Sequence, residues 1–119
     1  MSEENKIADA EIVRIAKGFT KGILNGKSTV DMCYMVCSPL VSYLCFCGIE
    51  CTLTEGELQD SYHHFWITLS DGRIIDPTAD QFGLLNIWVR KQPSYYKVLT
   101  EEPKSKRSVA TNDAQRLNA

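Results

Sequence analysis

The sequence predicts an α+β fold, in which N-terminal helices pack on a small antiparallel β-sheet. One observation is the helical spacing of apolar residues in residues 4–24. A second is the hairpin-like pattern of residues 62–82. The chain has 119 residues, 44% of them hydrophobic, which suits one compact domain with a sizeable core. We place this domain at residues 1–99 and expect a polar, disordered tail over residues 100–119.

The first predicted helix covers residues 4–24 and ends at Asn25-Gly26. Charged side chains occupy one side of this helix, which is typical of an amphipathic helix that packs on a core. The opposite, apolar side consists of Ala8, Ile12, Ile15, Ala16, Phe19 and Ile23.

The second predicted helix has two possible starts. Ser28 and Asp31 have the spacing of a capping box, which predicts a helix over residues 29–47. Alternatively, Ser38 caps a helix that has Pro39 in its first turn. The residues of this helix that we expect to face the core are Val41, Leu44 and Cys45.

The strands are predicted in the second half of the domain. Residues 49–53 have the composition of a short strand, and residues 54–61 that of a polar surface loop. Residues 84–90 are apolar and fit either a short helix or a strand. Residues 95–99 predict a final strand.

A β-hairpin lies between these segments. Residues 63–69 are rich in aromatic and β-branched side chains, and residues 70–72 supply a turn. Residues 73–76 form the return strand, which Pro77 ends because proline has no N–H for the ladder.

The length of the hairpin loop decides which side chains share a face. A three-residue loop with Gly72 in the left-handed region pairs Ile67 with Ile75. His64 and Asp76 then lie on one face, as diagonal neighbours within reach of a polar contact. A two-residue loop would put Asp76 on the opposite face. An imidazole beside a carboxylate is an oriented general base that still needs a nucleophile.

Five cysteines lie within nineteen residues, at positions 33, 37, 45, 47 and 51. The first residues of the chain lack the apolar core of a secretory signal. An odd number of cysteines without an export signal predicts free thiols in a reducing compartment, so we expect a cytoplasmic protein.

Three motifs then occur in an order and spacing typical of one enzyme group. They are Cys33 fifteen residues before Gly48-Ile49, the His-x-Trp run His64-Phe65-Trp66, and the Asp-Pro-Thr run Asp76-Pro77-Thr78. Together they resemble the transglutaminase-like superfamily of papain-like cysteine enzymes, over about residues 28–82. Residues 76–82 are also similar to small uncharacterised bacterial and phage members of that group.

The resemblance implies a helix that begins at Cys33 and packs on a sheet bearing His64 and Asp76. It also implies a Cys-His-Asp triad that carries out acyl transfer or hydrolysis on an amide, as a peptidase, deamidase or transglutaminase does, through a thioacyl intermediate. Cys37 remains a second possible nucleophile, because Ser38-Pro39 could mark the true helix start. The possible side-chain donors to an oxyanion are Gln59 and Gln81.

Two other classes of function stay open. An inactive binding or inhibitory module would keep the same fold without the activity. A zinc site would draw its ligands from Cys45, Cys47, Cys51, His63 and His64. On the leading hypothesis we expect no metal and no cofactor.

Composition narrows the range of partners. The net charge is −2 and no basic stripe is present, which disfavours nucleic acid. The longest apolar run, residues 32–47, is too short to span a bilayer, so we expect no membrane insertion. The partner that we expect is a protein or peptide substrate.

Overall fold

The computed structural model describes residues 7–58 and 62–99. These residues form two helices packed on a five-stranded antiparallel sheet, which confirms the predicted α+β class. The elements are α1 (Asp9–Leu24), α2 (Cys33–Phe46), β1 (Cys51–Leu58), β2 (Tyr62–Leu69), β3 (Ile74–Asp76), a short 3₁₀ helix (Ala79–Phe82), β4 (Ile87–Arg90) and β5 (Tyr96–Val98). The strand order is β4-β3-β2-β1-β5. The predicted tail, residues 100–119, lies outside the described residues, as does Gln59.

The β2–β3 hairpin has the predicted three-residue loop. Gly72 has a φ of 93°, in the left-handed region, and its N–H donates to the Leu69 carbonyl at 2.9 Å. The Leu69 N–H donates to the Arg73 carbonyl at 2.8 Å. Ile67 pairs with Ile75 as expected, so the predicted register is confirmed.

The larger core lies between the helices and one face of the sheet. α1 contributes Ile12 and Ala16, and α2 contributes a stripe that includes Leu40 and Leu44. The remaining buried members of this cluster are Cys37, Ile49, Ile67, Leu69, Ile75 and Val89. Within residues 7–58 and 62–99, neither helix combines the length and the apolar character needed to cross a bilayer.

α2 begins at Cys33, so the two starts predicted from capping patterns are wrong, whereas the start implied by the resemblance agrees with the structure. Asp31 has a φ of 61°, a left-handed conformation that cannot belong to an α-helix. The Ser28 hydroxyl accepts a hydrogen bond from the Val30 N–H at 3.1 Å, so it closes a local turn rather than capping a helix. Pro39 lies inside α2 without ending it.

Cys45 is exposed, so its predicted burial is wrong. The buried stripe of α2 runs through Val36, Cys37, Leu40 and Leu44. Successive helical residues are rotated by about 100°, which turns Cys45 away from this stripe toward solvent.

The predicted polar loop over residues 54–61 is also wrong over residues 54–58, which belong to β1. Gly56 and Leu58 are buried and alternate with acidic side chains, as expected of a strand with one covered face. The open choice for residues 84–90 resolves as a strand from Ile87 to Arg90. Val89 is the extra residue of a bulge in this strand, with a φ of 61°.

A second, smaller core covers the opposite face of the sheet. It contains Leu58, Trp66, Ile74 and Tyr96, with partly buried side chains from the 82–87 segment around them. Gly56 makes this packing possible. A Cβ atom at Gly56 would lie 2.3 Å from the Trp66 ring and 2.3 Å from the carbonyl oxygen of residue 97.

We predict that Gly56→Ala lowers the free energy of unfolding by about 1–3 kcal/mol, because the added methyl group overpacks this core. Urea unfolding is the measurement. Gly18→Ala is the matched control: a Cβ at Gly18, inside α1, would meet nothing within 4 Å. That change should raise the unfolding free energy by roughly 0.5–1 kcal/mol. Equal stability of Gly56→Ala and the wild type would contradict the Trp66 packing.

Candidate active site

The start of α2 lies beside the middle of β2. The β2–β3 ladder ends one residue before Asp76, which pairs instead with Ile87 of β4. Beyond that point the first turns of α2 approach β2 at the level of His64 and Phe65. The Cys37 sulfur, one turn into α2, lies 3.7 Å from the Phe65 carbonyl oxygen. Cys33, the predicted nucleophile, and His64, the predicted base, interact at this junction.

His64 and Asp76 form a fully buried pair. Nε2 of the imidazole lies 2.8 Å from Oδ2 of the carboxylate. The two side chains therefore share a face of the hairpin, with the carboxylate directed at the ring, as the three-residue loop predicts. A buried pair of this kind fixes the orientation of the imidazole.

The Asp76 carboxylate has two further donors. The Tyr96 hydroxyl donates to Oδ2 at 2.5 Å, and the Thr78 N–H donates to Oδ1 at 3.1 Å. A buried carboxylate needs such partners, since an unsatisfied charge in a protein interior is costly. Burial and the neighbouring Asp76 charge raise the pKa of Tyr96 well above its usual range, so its hydroxyl stays protonated and donates.

Sequence reasoning missed Tyr96 as a site residue. It lies in the predicted final strand, but β5 pairs with β1, at the far edge of the sheet from β3. Its ring reaches Asp76 by passing Trp66, with the two ring centroids 4.9 Å apart. The available signal was Gly56, because a glycine inside a strand often marks a close approach of another group.

Cys33 is partly exposed, and the pKa of its thiol is lowered. Burial raises this pKa, but the interaction with the His64 imidazole and the backbone N–H groups of Phe65 and Tyr34 outweigh burial and lower it overall. Burial also shifts the pKa of His64, in this case downward, but the hydrogen bond with Asp76 and the interaction with Cys33 outweigh that effect and raise it to about 9. Both shifts favour a thiolate–imidazolium pair.

The contact between the thiol and the imidazole is electrostatic in character. Nε2 of His64 is bound to Asp76, which leaves Nδ1 for Cys33. Nδ1 has no hydrogen bond of ordinary geometry to any described residue, yet Cys33 raises the pKa of the ring. The Sγ–Nδ1 contact therefore lacks the geometry of an ordinary hydrogen bond. Hydrogen bonds in active sites are often long or poorly aligned in the absence of substrate.

Cys37 does not fit the role of nucleophile. Its side chain is fully buried, and burial, with the charges of Asp76 and Cys33, raises the pKa of its thiol well above the usual value. A buried thiol with a raised pKa reacts slowly. The structure therefore favours Cys33 over Cys37.

The side chains proposed for the alternative zinc site do not come together as one set of ligands. His63 is exposed and bonds to Glu55 at 2.7 Å, whereas His64 is buried on Asp76. The Cys45 and Cys51 sulfurs are 3.9 Å apart. In the part of the chain that the structure describes, no three His, Cys, Asp or Glu side chains are arranged to hold a metal ion.

Gln81 is already committed to two hydrogen bonds. Its Oε1 accepts from the Asp31 N–H at 3.0 Å, and its Nε2 donates to the Thr78 carbonyl at 3.1 Å. The amide N–H₂ that would hold an oxyanion is thus directed at the backbone. We therefore do not assign Gln81 as an oxyanion donor.

Comparison with models of protein families, with curated proteins and with solved structures found no match. The transglutaminase-like resemblance therefore stays a prediction.

The coupled pair predicts a specific dependence of stability on pH. A raised folded-state pKa of His64 stabilises the fold below about pH 6.5, and this contribution is lost as the pH rises through about 9. The lowered pKa of Cys33 acts oppositely: its contribution is present above the usual thiol pKa and lost as the pH falls through the folded value. In the intermediate pH range, folding removes a proton from Cys33 and keeps one on His64. The two effects on the pH dependence of stability therefore largely cancel.

We therefore predict that the free energy of unfolding of Cys33→Ala depends on pH more steeply than that of the wild type. In this variant Asp76 still raises the pKa of His64, although the contribution of Cys33 is gone, so the free energy of unfolding should fall as the pH rises above about 6.5. The wild type should show a flatter profile. Urea unfolding at several pH values measures both. A Cys33→Ala profile as flat as the wild type would contradict the Asp76 effect on His64.

We also predict that Tyr96→Phe lowers the free energy of unfolding by on the order of 1.5–3 kcal/mol, because it removes a hydrogen bond to a buried carboxylate. Tyr62→Phe is the control, since Tyr62 is exposed and surface changes usually stay within about 0.5 kcal/mol. Urea unfolding compares the two variants, and equal losses would show that the Tyr96 hydroxyl has no special role.

Proposed function

We propose that the protein is a cysteine-dependent acyltransferase or hydrolase that acts on an amide, with Cys33, His64 and Asp76 as its triad. The observation that carries the proposal is a partly exposed thiol of lowered pKa beside a fully buried His–Asp pair. Perturbed pKa values on residues of complementary chemistry are typical of active sites.

In the first half of the reaction, the Cys33 thiolate attacks the carbonyl carbon of the amide and forms a C–S bond. The carbonyl π electrons move to oxygen, which gives a tetrahedral oxyanion. The His64 imidazolium then donates its Nδ1 proton to the leaving nitrogen. The C–N bond breaks, the amine departs, and a thioester remains on Cys33.

In the second half, neutral His64 removes a proton from the acceptor, which is water or an amine. The acceptor attacks the thioester, the C–S bond breaks and Cys33 leaves as a thiolate beside the reprotonated imidazolium. The same acyl-enzyme thus serves peptidase, deamidase and transglutaminase chemistry. The acceptor that reaches the thioester decides among them.

The start of α2 supplies the electrostatic support for the oxyanion in this proposal. The first N–H groups of a helix have no intrahelical acceptors, and they lie at the positive end of the helix dipole. Cys33 is the first residue of α2, so its sulfur and these N–H groups lie side by side. Donors aimed at the position where charge develops contribute strongly to acyl-transfer catalysis.

Asp76 holds the imidazole so that Nδ1 faces Cys33, and aromatic rings shield the ring of His64. The Phe82 centroid lies 5.0 Å from the imidazole centroid, edge to face, and the Trp66 centroid lies 6.2 Å away. Apolar surroundings strengthen the charge interactions within the site.

The partner in this proposal is a protein or peptide that carries the amide, and the reaction belongs in the cytoplasm. All five cysteines, which are among the described residues, are free thiols. A catalytic thiolate needs a reducing compartment of this kind to stay reduced. The resemblance to the transglutaminase-like superfamily supports the same chemistry.

We predict that iodoacetamide or an electrophilic amide probe labels Cys33 first near pH 7, as measured by peptide mapping. An ordinary thiol is only roughly a few per cent ionised at that pH, so the rate at Cys33 should exceed that at exposed Cys45 by about tenfold or more. Cys33→Ala should abolish the fast labelling, and Cys45→Ala, the matched control, should retain it.

His64→Ala should slow Cys33 labelling at pH 7, because the thiolate loses its imidazolium partner. Asp76→Asn should have a smaller effect, since Asp76 orients the ring but does not exchange the proton. Circular dichroism checks that each variant is folded, and His64→Gln replaces His64→Ala if that variant does not fold. If Cys33 is inert and the His64 variants change nothing, the enzyme hypothesis fails and the binding-module hypothesis takes its place.

A further inference from the structure

Residues 76–82 contact the loop before α2 through two side chains that the triad does not use. Oδ1 of Asp80 accepts a hydrogen bond from the Thr29 hydroxyl at 2.6 Å. Oε1 of Gln81 accepts one from the Asp31 N–H at 3.0 Å. Each bond joins residues about fifty positions apart in the sequence, so both are tertiary contacts.

The loop before α2 depends on support from outside. α2 has no side-chain cap, and its N-cap position is Met32. Asp31 holds a left-handed conformation, which is unfavourable for a residue with a side chain unless the surroundings stabilise it. The Gln81 hydrogen bond satisfies the N–H of this same residue. The direction in which the chain enters α2, and hence the position of Cys33, rests on these contacts.

The supporting residues are themselves held in place, Gln81 by its side chain and Asp80 by its backbone. The Gln81 amide donates to the Thr78 carbonyl at 3.1 Å, and the Asp80 N–H donates to the Asn86 side chain at 2.8 Å. The Thr78 N–H donates in turn to Asp76. A continuous set of hydrogen bonds therefore runs from the carboxylate that orients His64 to the loop that leads into Cys33.

We infer that Asp80 and Gln81 are positioning residues that hold Cys33 in register with His64. The inference rests on the proposed function, because it assigns these two side chains a role in the reaction of that site. Neither side chain touches the reacting atoms. They act through the Thr29 hydroxyl and the Asp31 N–H, and a shift of the 29–31 loop would move the sulfur relative to the imidazole.

Thr29→Val tests the first contact. It keeps the shape of the side chain but removes the hydroxyl that donates to Asp80. We expect the rate of Cys33 alkylation at pH 7 to fall roughly three- to tenfold, the range that one net hydrogen bond corresponds to, and the pH midpoint of alkylation to rise. Gln81→Met should act in the same direction through Asp31.

Thr54→Val is the matched control. It is the same change, and it also removes one hydroxyl hydrogen bond, the 2.5 Å contact between Thr54 and Thr68 in the sheet. Its effect on unfolding should resemble that of Thr29→Val, but the alkylation rate and pH midpoint of Cys33 should stay at wild-type values. A purely structural role of Asp80 would make the two variants alike.

Asp80 provides a second test. Asp80→Ala should slow alkylation, whereas Asp80→Asn, which keeps an oxygen acceptor for Thr29, should restore most of the rate. The double variant Thr29→Val, Asp80→Ala should be no slower than either single variant, because both remove the same hydrogen bond.

The outcomes separate the two proposals. If wild-type Cys33 is more reactive than Cys45 but Thr29→Val and Gln81→Met leave its rate and pH midpoint unchanged, the positioning role is overturned and the proposed function stands. If Thr54→Val slows alkylation as much as Thr29→Val, the positioning role is likewise overturned. If wild-type Cys33 is no more reactive than Cys45, the proposed function fails and the positioning role fails with it.

Discussion

The buried carboxylate of Asp76 is the group on which the site depends. It bonds to His64, Tyr96 and the backbone of Thr78, and so joins the central strand, the far-edge strand and the turn after β3. A charge without water is tolerated only where several donors surround it. The requirement to satisfy one carboxylate therefore constrains three separate parts of the sheet to meet at one point.

The second core explains how those parts reach that point. Trp66 covers Gly56 of β1 because that residue has no side chain, and Tyr96 packs against the Trp66 ring on its way to Asp76. Glycine usually weakens a strand, but at position 56 it allows the Trp66 ring to lie against the backbone. Tyr96 thus both packs in the second core and donates a hydrogen bond to the buried Asp76 carboxylate.

The hairpin could be predicted because its information is local. Three loop residues with Gly72 fix the register, and the register places His64 and Asp76 on one face. The start of α2 could not be derived from capping rules, because it follows a left-handed Asp31 whose N–H bonds to Gln81, fifty positions away in the sequence. Tyr96 was missed because it, too, depends on a contact between distant parts of the sequence: its place beside Asp76 follows from the order of strands in the whole sheet. Cys45 was misplaced because the mean apolar character of α2 hides the direction of its buried stripe.

One short segment, residues 76–82, makes contacts on both sides of the proposed site. Asp76 bonds to the His64 imidazole, Phe82 packs on the same ring, and the two residues between them that bind residues 29–31 lie on the Cys33 side of the proposed site. Short loops with several internal hydrogen bonds suit such a role, because little conformational entropy remains to be lost on binding.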